Sequence, residues 1–206
     1  MENMLPRKSA HLIADSRKYA VGRKLMRSAA VAGAAALVLA AGIPSAGAAS
    51  GSPRFMLKSF INDNKCMAIG AGSTAGGAGV IQWDCYGGGE QQWYAVGPWY
   101  PDNNRVPYYQ IVNFNSGKCL ADPGTSPYNG VQLIQYGCDG GPEQFWYLDA
   151  DLVMGTAVQL IRYHSGPRWN VGQCAADGAS STANGAPIVQ WTCTGGSEQR
   201  WYLKPV

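Results

Sequence analysis

The apolar positions after residue 50 fall in short stretches rich in β-branched and aromatic residues, separated by glycine- and asparagine-rich turns. The stretches are Phe55–Ile61, Val80–Trp83, Tyr108–Phe114, Val131–Tyr136, Ala157–Tyr163 and Ile188–Trp191. The turns are 76–79, 128–130 and 184–185. Short stretches of this composition, bounded by such turns, predict β-strands, and nothing after residue 50 has a convincing helical pattern. The sequence therefore predicts an all-β fold.

The same unit occurs three times in this part of the chain. Each copy has two cysteines 19 positions apart, and a Glu-Gln-x-Trp sequence whose tryptophan follows the second cysteine by eight positions. The cysteine pairs are Cys66 and Cys85, Cys119 and Cys138, and Cys174 and Cys193. The tryptophans are Trp93, Trp146 and Trp201. We place the copies at about residues 55–104, 105–156 and 157–206.

Threefold repetition constrains the architecture that the strands can form. About four strands in each copy predict about twelve short strands in total. One copy alone cannot bury both faces of its strands, whereas three copies around an axis can. We therefore expect a barrel with a pseudo-threefold axis.

The first fifty residues differ from the rest of the chain. A basic stretch at 17–27 precedes an apolar run of small residues from Ala29 to Gly42, and Pro44 and an alanine-rich segment follow. This order is typical of a secretory signal peptide. The alternative, a membrane anchor, is disfavoured because the apolar run is shorter than the roughly 20 residues that span a bilayer. We expect residues 1–49 to be cleaved, and residues 50–206 to be secreted as one domain that does not insert into a membrane.

Removing the leader reverses the sign of the net charge. The full chain carries +3, but the segment after residue 49 keeps nine basic and eleven acidic residues, which gives −2. Binding to nucleic acid or to an anionic membrane surface requires clustered positive charge. Both partners are therefore disfavoured.

An even number of cysteines in an exported chain indicates disulfides. Repeat symmetry favours pairing within each copy, although bridges between copies remain an alternative that would break the symmetry. A zinc site is disfavoured, because the mature chain has no Cys-x-x-Cys pair and His164 is its single histidine. We expect no metal and no cofactor.

These motifs resemble the ricin-type lectin family, whose fold is the β-trefoil. The resemblance rests on three Gln-x-Trp sequences in register with three cysteine pairs, and on segments such as 115–120, and it covers about residues 55–204. It implies that Trp93, Trp146 and Trp201 pack in the core. It also implies that Gln91, Gln144 and Gln199 help to hold each repeat and can lie beside a sugar pocket.

The resemblance implies carbohydrate binding, often of galactose- or xylose-type sugars. In the family a carboxylate accepts hydrogen bonds from sugar hydroxyls and an aromatic ring supports the sugar face. The ring positions here, two residues before the second cysteine, are Trp83, Tyr136 and Trp191. Three shallow sites on one domain would gain affinity through multivalency.

The chain departs from the family pattern in every copy. Alanine stands where the family has its aspartate, at Ala68, Ala121 and Ala176. Asp122 and Asp177 follow one residue later, where the first copy has Ile69. A shift of one residue on a strand reverses the side a residue faces, so these aspartates serve only if the chain turns there. The glycine or proline residues that follow favour such a turn.

Two further departures leave alternatives open. Gln82, Gln135 and Gln190 directly precede the rings, and the alternation with Ile81 allows the rings to stack on sugar or to belong to the core. Glu90, Glu143 and Glu198 stand where the family commonly has asparagine. They are either solvated or turn-bonding carboxylates, or they supply the acceptors that the missing aspartates would have given.

An enzyme is disfavoured by the arrangement of candidate groups. Hydrolysis needs a base with a nucleophile, or two close carboxylates, and symmetry would hold the three glutamates far apart. No Gly-x-Ser-x-Gly occurs, and His164 lies in a segment peculiar to the third copy, 164–172, that is interpreted as a surface loop. The sequence predicts a carbohydrate-binding module. The alternative is a trefoil without sugar activity that binds a protein, as an inhibitor or a toxin-associated component.

Overall fold

Thirteen short strands carry the fold in the computed structural model, which describes residues 52–62, 64–101, 105–163 and 172–206. They are β1 Phe55–Ser59, β2 Lys65–Ile69, β3 Val80–Asp84, β4 Gln92–Trp99, β5 Tyr108–Asn113, β6 Cys119–Ala121, β7 Ile134–Tyr136, β8 Trp146–Leu148, β9 Ala157–Val158, β10 Leu160–Arg162, β11 Gln173–Asp177, β12 Ile188–Thr192 and β13 Trp201–Pro205. The other regular elements in these ranges are 3-10 turns of three residues. The predicted leader and the segment 164–171 lie outside the described residues.

The strands form a barrel with three hairpins attached to it. Antiparallel pairing runs in the order β10-β8-β5-β4-β1-β13-β9, and the hairpins β2–β3, β6–β7 and β11–β12 branch from β1, β5 and β10. Each repeat contributes its first and last strands to the barrel and its middle pair to a hairpin. This arrangement is a β-trefoil with pseudo-threefold symmetry, so the predicted fold class is confirmed.

The thirteenth strand arises because one predicted strand is broken in two. The predicted stretch Ala157–Tyr163 becomes β9 and β10, with Gln159 between them. The backbone N–H of Gln159 donates to the side-chain Oδ1 of Asp149 at 2.6 Å and not to a neighbouring strand. A side-chain acceptor thus interrupts the ladder at a single residue.

The core is built around the three signature tryptophans. Trp93, Trp146 and Trp201 are fully buried among aliphatic side chains such as Leu57 and Leu160. In every repeat the indole N–H donates to a backbone carbonyl of the second strand of that repeat. The acceptors are Met67 at 3.2 Å, Leu120 at 2.9 Å and Ala175 at 3.1 Å. Each tryptophan therefore fills the core and fixes the hairpin of its own repeat above it.

Disulfides close a loop within each repeat, as repeat symmetry predicts. The bonded pairs are Cys66–Cys85, Cys119–Cys138 and Cys174–Cys193. On the chain-entropy account, a closed loop of this length stabilises the fold by roughly 3 kcal/mol. The bridges act within repeats, so other contacts must hold the repeats to one another.

Those contacts come from a buried glutamine in each hairpin, directly before the aromatic ring. The Nε2 of Gln82 donates to the carbonyls of Ser181 at 2.6 Å and Ala183 at 2.9 Å, in the turn of the third repeat. Gln135 makes the same bonds to Ser73 and Ala75, and Gln190 to Ser126 and Tyr128. The three repeats are thereby joined in a closed cycle.

Backbone hydrogen bonds reinforce each of these junctions. The N–H of Gly185 donates to the carbonyl of Gln82 at 2.9 Å, and the N–H of Gln82 donates to Ala186 at 2.9 Å. Equivalent bonds join Gly77 to Gln135 and Gly130 to Gln190.

Across the described ranges, no helix is long and apolar enough to span a bilayer.

We predict that Gln82→Ala lowers the free energy of unfolding by about 2–3 kcal/mol, because it leaves two turn carbonyls without their donor. Urea unfolding followed by tryptophan fluorescence measures this change. The matched control is Gln132→Ala, because Gln132 is exposed and donates one hydrogen bond, to Val80 at 3.1 Å. Equal losses in the two variants would contradict the role assigned to the buried glutamines.

Candidate functional site

A shallow cleft opens on the outer face of the hairpin in the first and third repeats. The first has a volume of about 270 Å³ and the third about 330 Å³. In the third, Ala176 and Val189 form the floor, Trp191 and Glu198 form two walls, and the 3-10 turn Gly178–Ser180 forms another. The first has the same plan, with Ala68, Ile81, Trp83, Glu90 and the turn Gly70–Gly72.

The aromatic rings stand at the surface and not in the core. Trp83 is 42% exposed, Tyr136 50% and Trp191 45%. In the hairpin, Trp83 is paired with Cys66. The buried glutamine before each ring points to the opposite side of the strand, toward the neighbouring repeat. The alternative that the rings belong to the core is therefore excluded, and each ring offers an apolar face to solvent.

The turn of the neighbouring repeat lies beside the edge of Trp83 and of Trp191. A Cβ built on Gly185 would lie 3.9 Å from the Trp83 ring, and one on Gly130 would lie 3.7 Å from Trp191. Gly185 and Gly130 have φ of +83° and +82°, a conformation that glycine adopts without steric cost. A larger side chain in either turn would therefore be strained and would come against the ring.

The glutamates lie across the clefts from the rings. Glu90 and Glu198 line their clefts, and both are half-buried. Each carboxylate folds back over the glycine two residues earlier, so that a Cβ on Gly88 or Gly196 would overlap it. The Tyr86 hydroxyl donates to Glu90, and the Thr194 hydroxyl lies 3.4 Å from Glu198 Oε1. The carboxylates are therefore held by bonds within their own turns, as one alternative predicts. They also line the clefts, as the alternative of a replacement acceptor requires.

Asp122 and Asp177 do not take the place of the missing family aspartate. Asp122 is fully buried and forms an ion pair with Arg162, and Asp177 is 2% exposed and accepts a hydrogen bond from the Ser59 hydroxyl at 2.7 Å. Strand alternation turns both inward, to the position that Ile69 occupies in the core of the first repeat. The predicted turn begins only after each aspartate, so neither side chain points outward as the family aspartate does. Both side chains join neighbouring repeats, and Asp177 also lines the third cleft.

Burial dominates the ionisation of these two carboxyls. It raises the pKa of Asp177 to about 6, with the Ser59 hydroxyl opposing the shift and the charge of Glu198 adding to it. Burial also raises the pKa of Asp122, and the Arg162 guanidinium opposes that rise. Asp177 lies beneath the floor of the third cleft and still contributes negative charge to it at neutral pH.

The glutamines of the three signatures hold loops and are not available to a ligand. Gln91, Gln144 and Gln199 are fully buried. Gln91 accepts the backbone N–H groups of Tyr86 and Gly87 and donates to the carbonyl of Asp84 at 2.7 Å. Gln199 repeats this pattern in the third repeat. These bonds agree with the predicted role of holding each repeat, whereas the fully buried side chains offer no surface to a ligand in a pocket.

Sequence reasoning missed the third wall of the cleft. It is the 3-10 turn after the second strand, where Ala71 and Ala179 adopt left-handed backbone with φ of +53° and +54°. Alanine rarely adopts this conformation, and the second repeat has Gly124 there, with φ of +72°. Pro123, Gly124 and Gly178 are the sequence signals for this turn in the second and third repeats. No group of three metal-binding side chains lies together in the described part of the chain.

Comparisons with known proteins agree with this fold. A family model for the ricin-type β-trefoil lectin-like domain matches residues 91–180. The designed threefold-symmetric protein ThreeFoil is 32% identical, with a TM-score of 0.63, and the match covers 74% of this chain and 99% of ThreeFoil. The chain therefore belongs to the ricin-type β-trefoil lectin-like family.

Two natural proteins with solved structures are also similar. The exo-β-1,3-galactanase 1,3Gal43A of Clostridium thermocellum is 30% identical with a TM-score of 0.64, over 76% of this chain and 31% of the enzyme. The C-half of an earthworm R-type lectin, solved with GalNAc, is 20% identical with a TM-score of 0.51, over 75% of this chain and 99% of the lectin. The chain thus spans less than a third of the galactanase. No curated protein sequence matches the chain significantly.

We predict that Asp177→Asn removes a pH-dependent loss of stability. The ordinary pKa of this carboxyl is 3.8 and its folded pKa is about 6, so the folded state binds more protons between these values. Stability from this group is full below the unfolded pKa and is lost as pH rises through the folded one. The loss is roughly 3 kcal/mol. Urea unfolding from pH 4 to pH 7 should show the wild type weakening relative to the variant; parallel curves would contradict the assignment.

Proposed function

We propose that the chain is an exported carbohydrate-binding module with up to three shallow sites, and that it has no catalytic activity of its own. The observation that carries the proposal is an exposed aromatic ring facing a glutamate across a cleft. Trp83 with Glu90 and Trp191 with Glu198 form the two clefts described above. Tyr136 and Glu143 hold the same positions in the second repeat.

The chemistry of each cleft suits a sugar ring. The apolar face of a pyranose stacks on the aromatic ring, and its hydroxyls donate to the glutamate as charge-assisted hydrogen bonds. Ala68 and Ala176 leave room beneath the sugar where the family has its aspartate. The longer glutamate side chain then carries the acceptor role from the opposite wall. Few polar contacts make each site weak, and three sites on one rigid domain compensate through multivalency.

The relatives support the sugar class at a coarse level. The earthworm lectin was solved with GalNAc, and a Polyporus squamosus lectin of the same fold was solved with a sialylated galactose-containing glycan. At below 25% identity, these two similarities support the fold and not the identity of the sugar. The galactanase is 30% identical but more than three times longer than the matched region, and its activity is not transferred to this chain. We propose galactose- or xylose-type glycans as the first ligands to test.

Export is the setting that we propose for this activity. Residues 1–49 have the order of a signal peptide, and three intramolecular disulfides fit an oxidising compartment.

We predict that the triple variant Trp83→Ala, Tyr136→Ala, Trp191→Ala loses glycan binding on an array, because each substitution removes the apolar platform of one site. Each stacking contact is worth about 1 kcal/mol, so single variants should weaken binding by a fewfold to tenfold. Since the rings are exposed, unfolding midpoints should change little. The control is Trp99→Ala, because Trp99 is 47% exposed and lines neither cleft.

Retained binding by the folded triple variant would contradict the site assignment. Absence of binding to every glycan, together with tight binding to a protein, would favour the alternative of a trefoil that acts as an inhibitor or toxin-associated component. The first result concerns the location of the site, and the second concerns the class of ligand.

A further inference from the structure

The first and third clefts have the same plan and differ in the charge beneath them. Ile69 lines the first cleft, and Asp177 holds the equivalent place in the third. Glu90 and Glu198 stand on equivalent walls, so the first cleft has one carboxylate and the third has two. In the first cleft the Tyr86 hydroxyl also donates directly to its carboxylate. The chain thus provides an internal comparison in which shape is kept and charge changes.

Asp177 has an unused acceptor. Its Oδ2 accepts a hydrogen bond from the Ser59 hydroxyl at 2.7 Å, whereas its Oδ1 is buried without any hydrogen-bond partner. The side chain is 98% buried and lines the cleft. A buried carboxylate oxygen without a donor is costly, and a cationic donor that enters the cleft would reduce that cost.

The described residues that line the third cleft include no cation to balance this charge. All residues lining it, in the part of the chain that the structure describes, are neutral or acidic. The third cleft is lined by two carboxylates and the first cleft by one, so the third cleft is the more negative of the two.

We propose that the cleft formed by Trp191, Glu198 and Asp177 selects sugars that carry a free, protonated amino group, in preference to neutral, N-acetylated or acidic sugars. This inference rests on the proposed carbohydrate-binding function and names the ligand class of one of its sites. The apolar face of the sugar stacks on Trp191, and the ammonium group lies between the ring face and the carboxylates.

Both kinds of wall favour an ammonium group over its neutral analogue. The face of an indole ring attracts a cation electrostatically. A protonated amine donates up to three hydrogen bonds, and a carboxylate accepts them in the strong, charge-assisted form. An N-acetyl group has one N–H and no charge. A carboxylated or sulfated sugar would place like charges beside Glu198 and Asp177, which disfavours its binding.

The test compares the β-1,4-linked trimer of glucosamine with its fully N-acetylated form. Titration is followed by calorimetry and by the NMR signal of the Trp191 indole N–H, in buffer of neutral pH and low ionic strength, where Asp177 is ionised. We expect the amino trimer to bind at least about tenfold more tightly than the acetylated trimer and to shift the Trp191 signal. Its affinity should fall as salt is added, because salt screens the ion pair.

Two variants assign the effect to the carboxylates. Asp177→Ile copies the first cleft of the same chain, and Glu198→Gln removes a half-buried charge while keeping the shape of the wall. Each should reduce the preference for the amino trimer by about tenfold. Asp151→Asn is the charge-matched control, because Asp151 is exposed and lines neither cleft. If Asp177→Ile does not fold, Glu198→Gln still decides the question.

The outcomes separate this inference from the function on which it rests. Equal or tighter binding of the acetylated trimer, or an unchanged preference in Glu198→Gln, would overturn the ammonium inference and leave carbohydrate binding intact. Binding of lysine-rich peptides without binding of the amino trimer would also overturn it. Failure of every glycan to bind would remove the proposed function itself.

Discussion

Three buried glutamine carboxamides close the cycle of repeats, and the geometry of the clefts depends on them. Each donates two hydrogen bonds to a turn of the adjacent repeat, as Gln82 does to Ser181 and Ala183. Because the aromatic ring is the next residue along the strand, turning the glutamine inward turns the ring outward. The turn that the glutamine binds also carries a glycine close to the ring edge. One set of hydrogen bonds thus determines both how the repeats associate and where each platform stands.

The sequence was sufficient for the fold because its signals are repeated and local. Cysteine spacing, the signature tryptophans and the turn residues each recur in register, and every one of them has the same partner in each copy, such as the carbonyl of Met67 for Trp93. The break at Gln159 was not predictable, since it depends on the Asp149 side chain of the preceding repeat. The holding role of Gln91, Gln144 and Gln199 was implied by the resemblance, whereas their complete burial was not, because their partners are backbone groups of the neighbouring loop.

The site was only partly predictable, and strand alternation explains the difference. Trp83 and Trp191 lie where the family comparison places a platform. Asp122 and Asp177 carry the right chemistry, but the strand continues through them and the turn begins one residue later, so they face the interior. The wall formed by Ala71 and Ala179 depends on left-handed backbone at alanine, for which a sequence has no direct marker. The sequence therefore predicted which types of side chain occur near the site, but the direction of each side chain depends on the backbone conformation.

The interior position that misled the sequence interpretation is also where the repeats differ most. It holds Ile69 in the first copy, Asp122 paired with Arg162 in the second, and Asp177 bonded to Ser59 in the third. Ser59 and Arg162 themselves occupy equivalent ends of the first strands of their repeats. The three repeats thus differ in the contact at this interior position, whereas each has an aromatic ring and a glutamate at the outer positions. Because these contacts lie directly beneath the clefts, a change at a junction between repeats alters the charge under a binding surface. The clefts of the first and third repeats thereby have a similar plan and different electrostatic character.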